Sequence, residues 1–226
     1  MAVEVCDTSL RQKQKLVFMG SSAASFILDD IIESMDIASK IKEFFKGEVT
    51  TAEADLEKYS RDASLFKIKP QVVVFPQDTE DIKNLVKFVS QNKTEKPKLS
   101  ITFRSGGTDM TGGSLSESII VDVSKHINKL KEIGSDYAVA EPGMFYRDFE
   151  KETLKKNLLL PSYPASREIC ALGGMVANNS GGEKTLEYGK TIDYVSELKV
   201  VLSDSEEHIF KELSESELEE KKKLDN

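Results

Sequence analysis

Residues 104–113 read Arg104-Ser105-Gly106-Gly107-Thr108-Asp109-Met110-Thr111-Gly112-Gly113. The run Leu99-Ser100-Ile101-Thr102-Phe103 before them alternates, and Ile119-Ile120-Val121-Asp122-Val123 after them is β-branched. Both patterns predict strands, so a glycine-rich loop joins two strands. Glycine lets such a loop take positive φ and approach a ligand closely. Successive N–H groups in it form an anion-binding nest, and Ser105, Thr108 and Thr111 add hydroxyls. An ordinary hairpin with a long, glycine-softened loop is the alternative reading of this stretch alone.

A second stretch shifts the balance. Residues 171–182 read Ala171-Leu172-Gly173-Gly174-Met175-Val176-Ala177-Asn178-Asn179-Ser180-Gly181-Gly182, and Tyr188-Gly189-Lys190 follows. Two such loops, well separated along the chain, point to one long ligand that spans both. Gly181-Gly182-Glu183-Lys184-Thr185 echoes the end of a nucleotide-triphosphate loop, but Glu183 stands where that motif needs glycine.

Composition bounds the function. A net charge of −8 argues against nucleic acid as a partner. Two cysteines, Cys6 and Cys170, do not make a disulfide framework, and Cys170 reads as a small packed residue. His126 and His208 lack partners at metal-ligand spacing, so no metal is expected. The chain has no apolar run long enough for a transmembrane segment. Arg11, Lys13 and Lys15 precede the apolar Leu16–Met19, but Glu4, Asp7 and Ser21–Ala24 argue against a signal peptide.

Outward from the first loop, Ile27–Phe45 carries apolar residues at helical spacing up to a stop at Gly47, and Thr50–Glu53 opens a second helix with Leu56 and Tyr59. Gln71–Phe75 predicts a buried strand. Asp78–Asp81 opens a helix whose face is Ile82, Leu85, Val86 and Val89. With the strand at Leu99 this makes a βαβ unit with a right-handed crossover. His126–Ile133 and Asp136–Ala140 predict an antiparallel pair turning at Gly134-Ser135. Phe145–Leu154 predicts a helix with Phe145, Phe149 and Leu154 on its apolar face. Leu158–Leu160 predicts a short strand, and Val195–Leu202 the last one. From Ser203 the charged run reads as a solvated helix or tail.

The ordered series VVVFP, RSGGTDMTGG, EPGMFYRDFE, PSYPAS, LGGMVANNSGG, EYGKTIDYV and LKVVLSD resembles the flavin domain of the vanillyl-alcohol oxidase and p-cresol methylhydroxylase (PCMH) family. It resembles most the branch of glycolate oxidase flavin subunits and FAD-linked D-lactate dehydrogenases. The resemblance implies an α+β fold, a PCMH-type FAD-binding domain of two α/β lobes preceded by amphipathic helices. It divides the chain into a helical arm at 1–54, an incomplete FAD-binding domain at 55–205 and a charged tail or helix at 206–226.

By resemblance, Ser105, Gly106, Gly107, Thr108 and Asp109 hold the FAD pyrophosphate through backbone N–H groups, and Arg104, which opens the loop, is counted with the cofactor site, a salt bridge to a surface acid being its alternative reading. Pro164 and Ser166, within Pro161–Ser166, and Gly173 and Gly174 pass the isoalloxazine and ribityl chain. Asn178, Ser180 and Gly181 add hydrogen bonds, and the segment around Ile192 lies near the adenine. Thr108 stands where covalent-flavin relatives carry His, which implies non-covalent FAD. The implied reaction is hydride transfer from a small 2-hydroxy acid, of D-lactate or glycolate type, to flavin N5. Electrons then pass to a quinone, a cytochrome or an electron-acceptor subunit. Substrate and acid–base groups would come from a carboxyl-terminal part or a partner chain, so no catalytic residue is assigned. The expectation is an amino-terminal fragment, a split gene product or one subunit of a divided enzyme. Its implied place is the cytoplasm or the inner membrane face. Two other readings remain open: a flavin-binding module without turnover of its own, and a UDP-N-acetylenolpyruvoylglucosamine reductase-like protein, against which Thr108-Asp109 counts.

Overall fold

The computed structural model describes residues 33–224. Cys6, the basic start and residues 27–32 of the first expected helix lie outside the described residues. Helix α1 is described over 33–42. There follow strand β1 (Glu48–Thr50), helix α2 (Glu53–Tyr59), strand β2 (Val72–Phe75), helix α3 (Thr79–Asn92) and strands β3 (Ile101–Arg104) and β4 (Ile119–Asp122). These strands form one sheet in the order β1-β2-β4-β3. β4 runs parallel to both β2 and β3, and β1 pairs antiparallel with β2.

Both faces of this sheet are covered, which is why β2 and β4 read as continuous apolar runs. Val72, Val74, Ile119 and Val121 face Ile37 and Ile41 of α1, Leu85 of α3 and Phe45. Val73 and Ile120 face Leu56 and Tyr59 of α2. All six β-branched residues are fully buried, each contributing roughly 1.5–3 kcal/mol of apolar burial. Residues 33–50 of the expected helical arm are thus part of the main core, and β1 is a strand of its sheet. Asp78 caps α3 by accepting the Asp81 N–H at 3.0 Å. Asp81, itself fully buried, accepts the N–H groups of Lys46, Gly47 and Gln77 at 2.8, 3.0 and 2.8 Å. A single carboxylate therefore fixes the turn into β1 and the exit of β2.

Two expectations change here. The βαβ unit exists, but β4 lies between its two strands. The connection from β3 to β4 is not a hairpin, because the strands are parallel; the glycine-rich loop is a helix-free crossover.

The second half holds two separate antiparallel hairpins. β5 (Leu130–Ile133) pairs with β6 (Ala138–Ala140), closed by the Gly134 N–H to Tyr137 carbonyl bond at 2.8 Å. β7 (Glu197–Val201) pairs with β8 (Glu207–Lys211). Between them lie α4 (Tyr146–Thr153), α5 (Leu172–Ala177) and α6 (Thr185–Tyr188), and α7 (Glu215–Leu224) follows β8. A second core gathers Met144, Tyr146, Phe149, Tyr163, Cys170 and Met175.

The details depart from the sequence pattern in four places. β5 starts at Leu130, because residues 124–127 form a turn that sends Ile127 into the main core. The buried face of α4 is Tyr146, Phe149 and Thr153, while Leu154 is exposed. Residues 158–160 are not a strand. Asn157, at φ 58°, reverses the chain there; the Leu158 N–H closes on Thr153, and the Leu160 carbonyl accepts from the Tyr146 hydroxyl. The charged run from Ser203 holds strand β8 before its helix.

Candidate functional site

The loop after β3 lies at the carboxyl end of two parallel strands. Among the described residues, the backbone N–H groups of Ser105, Gly106, Gly107, Thr108 and Asp109 meet no protein acceptor. These residues are half-buried, and such a run of unpaired donors marks a place that accepts a polar ligand or water. Gly107 sits at φ +64°. A Cβ there would fall 2.4 Å from Nη2 of Arg104, so the guanidinium fills the space under the loop. Arg104 donates from Nη1 to the Arg61 carbonyl at 2.7 Å, and its guanidinium lies 5.2 Å from the Tyr59 ring centroid. Among the described residues it makes no ion pair.

Asp109 turns back on its own loop. It accepts the Thr111 N–H at 3.2 Å, the Thr111 hydroxyl at 2.8 Å and the Gly113 N–H at 2.6 Å. Desolvation, the largest single influence, pushes its carboxyl up. The bonds from Thr111 and Gly113, with a contribution from the Asn178 amide, outweigh it and hold the carboxyl below the usual aspartate range.

The expected site residues form one connected surface. Gly106 approaches the Ile169 carbonyl and Cys170 so closely that a Cβ would fall 2.5 Å from that oxygen. Gly174 faces the Ser105 hydroxyl, and Gly173 donates to the Pro142 carbonyl at 2.8 Å. Pro164 and Ser166 shape the turn before Cys170: the Pro164 carbonyl accepts from Arg167, and that of Ser166 from Ile169 and Cys170. Asn178 caps α5. The Ser180 carbonyl accepts both the N–H and the hydroxyl of Thr191, and Thr191 also reaches Ser162. Gly181 lies against Thr185, Gly182 packs on Tyr163 and Pro164, and the Ile192 N–H donates to the Asn179 side chain at 2.9 Å. The two glycine-rich loops thus meet through Gly106, Ser105 and Gly174.

Two buried residues behind this surface escaped the pattern. Tyr59 and Asp122, each about 5% exposed, share a 2.6 Å hydrogen bond across 63 positions of sequence. The only local hint was a carboxylate closing an otherwise apolar strand. Burial, then the bond to Asp122, pushes the Tyr59 phenol well above the ordinary tyrosine value, so it stays a neutral donor. Cys170 is buried and its thiol is pushed up by desolvation, the state of a packed residue.

A family model described as FAD binding domain matches residues 70–210. The chain belongs to the FAD binding domain family. It is 33% identical to the D-2-hydroxyglutarate dehydrogenase of Escherichia coli (strain K12) over 165 residues, 70% of this chain and 16% of that protein. It is also 33% identical to the glycolate oxidase subunit GlcD of Bacillus subtilis (strain 168) over 152 residues, 66% of this chain and 31% of that protein. In structure it resembles alkyldihydroxyacetonephosphate synthase, with a TM-score of 0.66 and 19% identity over 78% of this chain and 35% of that one. The chain therefore spans about a third or less of these relatives. The expected α+β fold of a PCMH-type FAD-binding domain, and the glycolate oxidase branch, are borne out.

The residues present fit FAD. Its diphosphate needs several N–H donors and a nearby cation, and the loop at 105–109 offers unpaired N–H groups over the Arg104 guanidinium. Among the described residues no helix is long and apolar enough to cross a membrane.

Proposed function

We propose that this chain holds FAD non-covalently and forms the cofactor-binding part of an oxidoreductase acting on a small 2-hydroxy acid. The observation that carries the reading is the row of unpaired N–H groups at 105–109, set over Arg104 and joined to the second glycine-rich loop. The N–H groups of Ser105 to Asp109 receive the diphosphate oxygens. The Asp109 carboxylate is taken up by bonds from Thr111 and Gly113. Pro164, Ser166, Gly173 and Gly174 line the path toward the flavin ring, Asn178, Ser180 and Gly181 add polar contacts, and Ile192 lies toward the adenine. Thr108 offers no imidazole for a covalent link. When bound, FAD supplies hydride-accepting chemistry for the hydroxy acid. D-2-hydroxyglutarate, glycolate and D-lactate are the substrates to try. A cytoplasmic or peripheral membrane setting with a separate electron acceptor belongs to the same reading.

A second reading has its own support: a flavin-binding module that turns over only with another polypeptide. Near the second loop the Tyr163 hydroxyl is engaged with Glu183, and Arg167 with Glu150. The chain also spans a minor part of its relatives.

Incubation with excess FAD, desalting and a visible spectrum test both. Retained flavin absorbance, released by acid and bleached anaerobically by one of the hydroxy acids, supports the enzyme. Retained absorbance without bleaching favours the module. A folded, colourless protein overturns FAD binding by this chain.

A further inference from the structure

Arg104 and Asp122 stand side by side in the β3–β4 register, yet they form no ion pair. Adjacent opposite charges on neighbouring strands ordinarily attract. Here Asp122 is already satisfied: Oδ2 accepts the Tyr59 hydroxyl at 2.6 Å, and Oδ1 accepts the Ser124 N–H at 2.7 Å and its hydroxyl at 2.6 Å. Arg104 meanwhile stacks on the same Tyr59 ring, anchors on the Arg61 carbonyl and ends under Gly107.

We propose that Tyr59 is a positioning residue that occupies Asp122 and so keeps the Arg104 guanidinium free to serve as the counter-charge beneath the diphosphate loop. The proposal rests on the FAD reading above and adds a residue from α2 that acts through Arg104 and Asp122. Without the hydroxyl, an Asp122 lone pair is left without a donor in a buried place, and the cation beside it in register is Arg104. Its capture would draw the guanidinium off Gly107 and cancel its charge.

The test is ADP and FAD binding to the full 226-residue chain by titration calorimetry over a range of NaCl concentrations, with circular dichroism to confirm folding. Arg104→Met should weaken ADP about tenfold or more and flatten the salt dependence, as expected for a lost charge-assisted contact. Tyr59→Phe should weaken ADP several-fold with the same flattening. Tyr59→Phe combined with Asp122→Asn should restore both affinity and salt slope, because the capturing charge is gone. Tyr59→Phe in the Arg104→Met background should add nothing further.

Unchanged binding in folded Tyr59→Phe overturns the proposal. So does failure of Asp122→Asn to rescue it, or an equal loss in the Arg104→Met background, which would mark Tyr59 as merely structural. If Tyr59→Phe does not fold, retention of wild-type ADP affinity and salt slope by Arg104→Met overturns the proposal, and their loss supports the counter-charge beneath the loop. Wild-type chain that binds neither ADP nor FAD overturns the FAD reading itself, a result distinct from all of these.

Discussion

The four-stranded sheet and the β7–β8 hairpin are built from similar sequence and end in opposite environments. Val72–Val74 and Ile119–Val121 are fully buried, whereas Leu198, Ile209 and Phe210 are exposed. β-branched and aromatic residues make the backbone extend in both places. What differs is cover: α1 and α3 close one face of the sheet and α2 the other, while no comparable layer of the described residues lies over Ile209. Strand propensity therefore tells little about where stability resides.

Substitution can break that comparison. Leu85→Ala, at the centre of the α3 contact with the sheet, should cost about 3 kcal/mol in urea unfolding. Asp81→Ala strands three backbone N–H groups and should cost about 2–3 kcal/mol by the same assay. Gly107→Val puts a Cβ into the Arg104 guanidinium at positive φ. It should cost about 1–3 kcal/mol and abolish FAD retention after desalting. Ile209→Thr, at an exposed and still β-branched position, should change stability by less than about 0.5 kcal/mol. If Ile209→Thr proves as damaging as Leu85→Ala, the contrast between the two sheets is wrong.

A pH series sharpens the same contrast at the loop. The Asp109 carboxyl is depressed in the folded chain, so its contribution is fully present above the unfolded value of 3.8 and is lost as pH falls through the lower folded value. The melting-temperature gap between wild type and Asp109→Asn should be flat above that point and close below it. A gap that stays constant into strong acid would show that the hydrogen bonds to Thr111 and Gly113 do not depend on the charge.

Much of the candidate site was legible because glycine carries its information locally. Gly106, Gly107, Gly173 and Gly174 announce backbone that must approach something closely, and the structure sets Gly106 against Ile169 and Gly174 against Ser105. Tyr59 and Asp122 were not legible, since a hydrogen bond across 63 positions leaves no spacing to read. The hairpin alternative for residues 104–113 failed for a related reason: strand direction depends on which neighbour a strand finds, not on its own residues.

The sequence by itself determined strands β2, β3 and β4 of the main sheet, the two glycine-rich loops and their order, because extension, helix capping and positive φ are properties of single residues and their near neighbours. Only the tertiary structure decided that β4 would slip between β2 and β3, that the second loop would lie against the first, and that Arg104 would turn beneath Gly107 rather than pair with Asp122. Those outcomes depend on contacts between distant segments, where burial and hydrogen-bond satisfaction are settled by the whole fold at once.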